Sequence, residues 1–188
     1  MKGIVLIGAC LVGAGVLIAA GAASSTAITQ TSIRGAKLGL SASAYKQLLG
    51  RPVSRVRGTP GNPGQPEDWS RLVFSQRKLS VYFVDGLPGA TMVTTWNKSY
   101  RTAAGIGPCS TVKRLKAVYG SRLKPSKFSS QGGVTYAWTV GRNLIFASND
   151  HRIVEVVGLF DGSDPAVSQP GGSLSYAGFI ALSETRCF

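Results

Sequence analysis

The chain has 188 residues, 44% of them hydrophobic, with 21 Lys and Arg against 8 Asp and Glu and a formal charge of +13. That length holds one medium domain or two small modules sharing a core, and the charge favours attraction to polyanions without constraining the fold. One histidine and scattered carboxylates exclude the usual metal-ligand spacings, and the glycine-rich tracts lack a phosphate-cradling lysine, so no metal and no cofactor are expected.

In chain order, residues 1–27 come first. Lys2 is followed by the apolar run GIVLIGACLVGAGVLIAA and the small-residue tract GAASSTA, the layout of a secretory signal peptide with cleavage near residues 22–27. The alternative is an uncleaved anchor, because the run approaches the roughly 20 residues that span a bilayer; membrane association is expected only in that case. Cys10 has small residues before it, as a lipoprotein site would, but nine preceding residues are too few for both a charged start and an apolar centre. The expected location is secreted or in the cell envelope. Two cysteines remain in the mature chain, Cys109 and Cys187. An even count in an exported chain predicts a disulfide between them, with two free thiols or an intermolecular bridge as the alternatives.

Residues 28–101 and 102–188 then read as two units of one pattern. In GLSASAYKQLLG, serine caps precede a short helix with Ala44 and Leu48 as its buried stripe and Gly50 as terminator. In CSTVKRLKAVYG, Ser110 is the expected N-cap, Val112, Leu115 and Tyr119 the buried stripe, and Gly120 the stop. After each helix come a loop and three strand-like runs: DWSRLVFS, KLSVYFV and ATMVTTW, then VTYAWTV, LIFAS and RIVEVVGLF. Turn formers such as Asp85-Gly86, Gly141-Arg142-Asn143 and Asn149-Asp150 separate the runs and favour antiparallel hairpins. The expected fold class is α+β: two tandem units of a short helix plus a three-stranded antiparallel meander, the second linked by the disulfide. Together they form an antiparallel sheet with helices on one face. SLSYAGFIAL near the C-terminus is a candidate further strand. RGTPGNPGQPED and DGSDPAVSQPGG read as exposed loops, either spacers or recognition loops.

The stretch LGLSASAYKQLLGRP, followed by Trp69 and RKLSVYFVDG, resembles the SmpA/OmlA family of small outer-membrane-assembly lipoproteins. The residues that carry the likeness are Leu49-Gly50-Arg51-Pro52 closing the helix, Trp69 in a strand, and the hairpin element Val81-Tyr82-Phe83-Val84-Asp85-Gly86. The duplicated layout with a disulfide also resembles the secreted β-lactamase-inhibitory proteins, which set two such units side by side and bind an enzyme with a concave sheet. Both resemblances imply a protein that binds and does not catalyse.

The residues themselves agree. A Ser/His/Asp relay would have to use His151 with Asp150, and neighbours in a strand point to opposite faces, so His151 reads as a hairpin-turn residue. No enzyme activity is expected. The positive feature is a basic surface: Lys113, Arg114 and Lys116 on the second helix, with Arg122, Lys124 and Lys127 extending it along the following loop. Lys46, Arg51, Arg55 and Arg57 occupy the equivalent place in the first unit. Such clusters bind sulfated or phosphorylated polymers by counterion release, without base-specific nucleic-acid recognition; the alternative is a solvated face on a basic protein. Seven large rings also lie in strands, and Trp69, Trp96 and Trp138 are candidate protein-interface anchors, with core packing as the alternative for each. The expected function is an exported, basic, non-enzymatic binding protein for an anionic envelope polymer or an acidic protein. The alternative is an inhibitor-like protein that grips another protein with its sheet face and loops.

Overall fold

The computed structural model describes residues 27–58, 69–130, 133–161 and 187. The leader with Cys10, most of the RGTPGNPGQPED loop, the DGSDPAVSQPGG tract after Asp161 and SLSYAGFIAL lie outside the described residues. Among the described residues, no helix is long and apolar enough to cross a membrane.

Helix α1 (Ala42–Leu49) precedes strands β1 (Ser54–Gly58), β2 (Trp69–Phe74), β3 (Leu79–Val84) and β4 (Ala90–Thr95). Helix α2 (Val112–Tyr119) precedes β5 (Leu123–Ser130), β6 (Gly133–Val140), β7 (Leu144–Ser148) and β8 (Val156–Phe160). All eight strands form one antiparallel sheet in the order β1-β2-β3-β4-β8-β7-β6-β5. This corrects the expectation of an α+β protein built from two helix-plus-three-strand units. The fold is dominated by a single sheet, and among the described residues its two α-helices are only eight residues each.

The two strands the sequence reading lacked are the outermost ones. β1 is SRVRG and β5 is LKPSKFSS. Neither shows apolar alternation, and β5 contains Pro125, a residue that sheets tolerate at an edge because its missing N–H faces outward. Cations and proline on an edge strand also discourage pairing with other chains. The features that hid these strands in the sequence are those that let them end the sheet.

The centre is the β4–β8 seam. Met92, Val93, Thr94 and Thr95 stand opposite Phe160, Leu159, Gly158 and Val157. Two rows of buried side chains run across this seam on one face. Leu72, Val81, Val93, Leu159, Leu144 and Val140 form the first; Phe74, Leu79, Thr95, Val157, Phe146 and Trp138 form the second. The Thr95 hydroxyl is buried at no polar cost, since it donates to the Lys78 carbonyl (2.8 Å) and accepts from the Asn97 N–H (3.1 Å). Gly158 allows the close approach of the seam: a Cβ there would lie 3.1 Å from Ile145 Cγ2 and 3.3 Å from the Val93 carbonyl oxygen. The opposite face carries a smaller cluster of Tyr82, Met92, Ala137, Ile145 and Phe160.

Both helices pack on the first face, where Tyr45, Val112, Leu115 and Tyr119 join the main core. The buried stripe of α1 differs from expectation. Leu48 is 46% exposed, and the core takes Tyr45 with Ala42 and Leu49 beside it. A tyrosine ring reaches further than alanine or leucine, and its hydroxyl donates to the Lys37 carbonyl, so burial costs it no hydrogen bond. That burial pushes the Tyr45 phenol well above its ordinary pKa. Ser41 caps α1, accepting from the Ala44 N–H, and Gly50 and Gly120 end the two helices in positive-φ backbone.

Cys109 and Cys187 are bonded, with their Cα atoms 5.4 Å apart. The Cys109 N–H donates to the Val154 carbonyl (2.6 Å), and the Val154 N–H donates to the Ser110 carbonyl (2.8 Å), so the bridge lies where the chain before α2 is stitched to the chain before β8.

Two outcomes follow from this packing. Leu159→Ala, which empties a site in the seam, is expected to cost about 2–5 kcal/mol, whereas Leu48→Ala changes stability by less than about 1 kcal/mol; urea unfolding followed by tryptophan fluorescence measures both. Cys187→Ser is expected to lower stability by about 2–4 kcal/mol, and the reduced wild-type protein should unfold with the same midpoint as that variant.

Candidate functional site

Helix α2 is built so that its cations face outward. Val112, Leu115 and Tyr119 are buried against the sheet, which leaves Lys113, Arg114 and Lys116 exposed on the opposite side. Its N-cap is Thr111, whose hydroxyl accepts from the Arg114 N–H (3.1 Å). Ser110, the cap expected from sequence, instead accepts from the Gly107 N–H (3.1 Å) and holds the preceding loop. The first turn of α2 contains no acidic residue. Lys113 and Arg114 therefore stand at the positive end of the helix dipole, where a cation is unfavourable by a few tenths of a kcal/mol. Helix stability does not account for them.

A further cation joins this end of α2. Arg101 is half-buried, and its guanidinium donates to the Tyr100 (3.0 Å) and Pro108 (3.1 Å) carbonyls. Its pKa is lowered, first by burial and then by the charge of Arg114. The GIGPC loop separates the two guanidiniums and needs its glycines. A Cβ on Gly105 would lie 3.0 Å from Arg114 Nη2, and one on Gly107 would lie 2.0 Å from the Tyr100 carbonyl oxygen and 2.7 Å from Arg101 Nη1. Arg101 was missed in the sequence because it stands alone, ten residues before the Thr111 N-cap; the Gly-x-Gly spacing was the available signal.

The other cations do not continue this cluster. Arg122 folds back on α2, donating to the Val118 (3.3 Å) and Tyr119 (3.5 Å) carbonyls with its guanidinium 5.2 Å from the centre of the Tyr119 ring. It closes the helix C-terminus. Lys124 and Lys127 lie on strand β5 and not on a loop, opposite Thr139 and Tyr136 respectively. Three residues apart on a strand, they project to opposite faces, so they cannot extend one patch. Lys46 is exposed on α1, Arg51 follows it, and Arg55 and Arg57 are exposed on β1, sharing one face. Among the described residues, none of Lys113, Arg114 and Lys116 pairs with a carboxylate.

The aromatic residues mostly belong to packing. Trp138 is 3% exposed within the main core, Trp69 is half-buried and tilted against Tyr82 at 6.5 Å, and Trp96 is half-buried at the end of β4. The β7–β8 connection is held by Asp150, whose carboxylate accepts from the Arg152 N–H (2.8 Å), the Ile153 N–H (3.2 Å) and the Ser148 hydroxyl (3.1 Å). Asp150 thus serves the turn and does not orient His151, whose ring lies against Tyr136 (4.7 Å) and Trp138 (5.4 Å). Among the described residues, no three His, Cys, Asp or Glu side chains gather where a metal ion could bind.

Compared with known proteins, the chain matches no family model, no curated protein and no solved structure. The resemblances to the outer-membrane-assembly lipoproteins and the inhibitory proteins therefore rest on sequence motifs alone.

Two acids of the β7–β8 turn shift in opposite directions. For Asp150, burial works upward but is outweighed by the N–H and hydroxyl donors and the Arg152 charge, so its pKa falls below 3.8. For Glu155, burial dominates; the Asn149 N–H opposes it, the Asp150 charge adds to it, and the pKa rises above 4.5. Stability from Asp150 is present above 3.8 and lost as pH falls through its lower folded value, whereas any contribution from Glu155 is present below 4.5 and lost as pH rises through its higher folded value. Carboxyl NMR titration should give an Asp150 midpoint below 3.8 and a Glu155 midpoint above 4.5.

Proposed function

We propose that the protein is an exported, basic, non-enzymatic binding protein that holds an anionic polymer of the cell envelope through the cations around the start of α2. One observation carries this reading. Lys113, Arg114 and Lys116 are exposed together on one short helix without a paired carboxylate among the described residues, and Arg101 adds a second guanidinium beside Arg114. Mutual repulsion makes such a cluster unfavourable by itself, and a polyanion relieves it while releasing its own counterions. The apolar leader and the cysteine pair support export, and binding is favoured over catalysis because, among the described residues, Asp150 serves the turn and does not orient His151. An acidic protein would meet the same cations. The inhibitor-like reading is supported less, because Trp138 is in the core and Trp69 packs against Tyr82.

Binding to an immobilised sulfated polysaccharide, measured as a function of salt, tests the proposal. The wild type should weaken steeply, and Lys113→Gln/Arg114→Gln/Lys116→Gln should reduce the log–log slope by about one per cation removed. An unchanged slope overturns the reading. Salt-tolerant one-to-one retention of a single protein from envelope extracts would favour the inhibitor-like alternative.

A further inference from the structure

Between the edge of the sheet and the β7–β8 turn lies an open cleft of about 250 Å³, lined by Pro125, Ser126, Lys127, Tyr136, Trp138 and His151. Its walls come from three places in the chain. β5 contributes the rim, β6 the two rings of its floor, and the turn after β7 a histidine. The register sets Pro125 opposite Trp138 and Lys127 opposite Tyr136, so all four face one side of the sheet.

His151 is held over this cleft by a device. Its backbone has a φ of 60°, an unusual conformation for a residue other than glycine. The three hydrogen bonds to Asp150 maintain the turn that imposes it. The imidazole stands at 70° to the half-buried Tyr136 ring and at 50° to the buried Trp138 ring beneath it, so the cleft presents the His151 and Tyr136 rings in different planes. The Lys127 ammonium lies 5.9 Å from the centre of the Tyr136 ring. Neither His151 nor Lys127 hydrogen-bonds to a protein group among the described residues, and both are exposed. The positive φ carries the exposed imidazole to the mouth of the cleft, where it and the Lys127 ammonium are open to a ligand.

We infer that this cleft binds one acidic sugar unit, a uronate-type ring that lies with its C–H face against the half-buried Tyr136 ring and its carboxylate at Lys127 and His151. The inference rests on the reading of the protein as a receptor for anionic polymers, and it gives that reading a sugar-specific subsite. At about 250 Å³ the cleft has room for about one sugar ring, below the roughly 300 Å³ at which clefts for drug-sized ligands begin. A ring with an apolar face fits the Tyr136 ring, and an acid group fits the Lys127 ammonium and the His151 imidazole at the rim. A free inorganic anion would leave the aromatic surface unused. A neutral sugar would leave Lys127 unused.

The test is NMR titration of the full mature protein with D-glucuronate in roughly 0.5 M salt, where exposed long-range attractions are largely screened. Glucuronate should shift the His151 and Tyr136 ring signals in a saturable way, with methyl glucoside binding more weakly. Lys127→Gln should weaken glucuronate to the level of the glucoside. His151→Gly, which suits the positive φ and so keeps the turn, should weaken glucuronate about tenfold. Equal binding of the glucoside, the same shifts from acetate or inorganic phosphate, or no shift at all would each overturn the inference. The two readings fail separately: neutralising the α2 cations leaves the glucuronate shifts intact, and His151→Gly leaves the salt slope on a sulfated polymer intact.

Discussion

The pairing of β4 with β8 is the contact on which everything else depends. It joins the last strand of one meander to the last strand of the other, so that two four-stranded pieces become one sheet. Without it, each half would present an open edge of apolar residues and only one short helix to cover its face, too little to offset the entropy of ordering the chain. With it, two rows of buried side chains cross six strands, and both helices share one core. The disulfide reinforces the same arrangement, because Cys109 is hydrogen-bonded to Val154, just before β8.

The charge distribution follows from where that sheet ends. Placing the last strands at the centre sends the first strand of each meander, β1 and β5, to the outside. Both are basic, and both leave Lys and Arg in water while shielding the sheet against pairing. The α2 cations are different. Lys113 and Arg114 oppose the helix dipole, and Arg114 is crowded by Arg101, so neither edge protection nor helix stability explains them. Two basic populations that look alike in the sequence therefore have different physical standing.

Much of the local structure was legible. The six strands with alternating apolar and β-branched residues were found within a few residues of their ends, and both terminating glycines hold positive φ as their positions required. The errors were those that local pattern invites. Ala44 and Leu48 suit a helix stripe as well as Ala42, Tyr45 and Leu49 do, and only contact with Phe83 and the rest of the core selects the tyrosine. β1 and β5 lack apolar alternation, and among the described residues one side of each has no neighbouring strand. At the candidate site, Lys113, Arg114 and Lys116 were visible from helical spacing, whereas Arg101 and the set of Lys127, Tyr136 and His151 come together only across separate elements.

By itself, the sequence determined the charge excess, the outward face of α2, the central strands and the pair of cysteines. All of these follow from composition or from periodicity over a few residues. The tertiary structure alone decided that eight strands form one sheet, that Lys124 and Lys127 point to opposite faces, that Arg122 closes a helix, and that His151 lies on two rings. The reason is physical. Strand pairing joins residues far apart in the chain, and a period of two residues reverses a side chain's direction with every step, so which side chains meet is set by register and not by proximity in sequence.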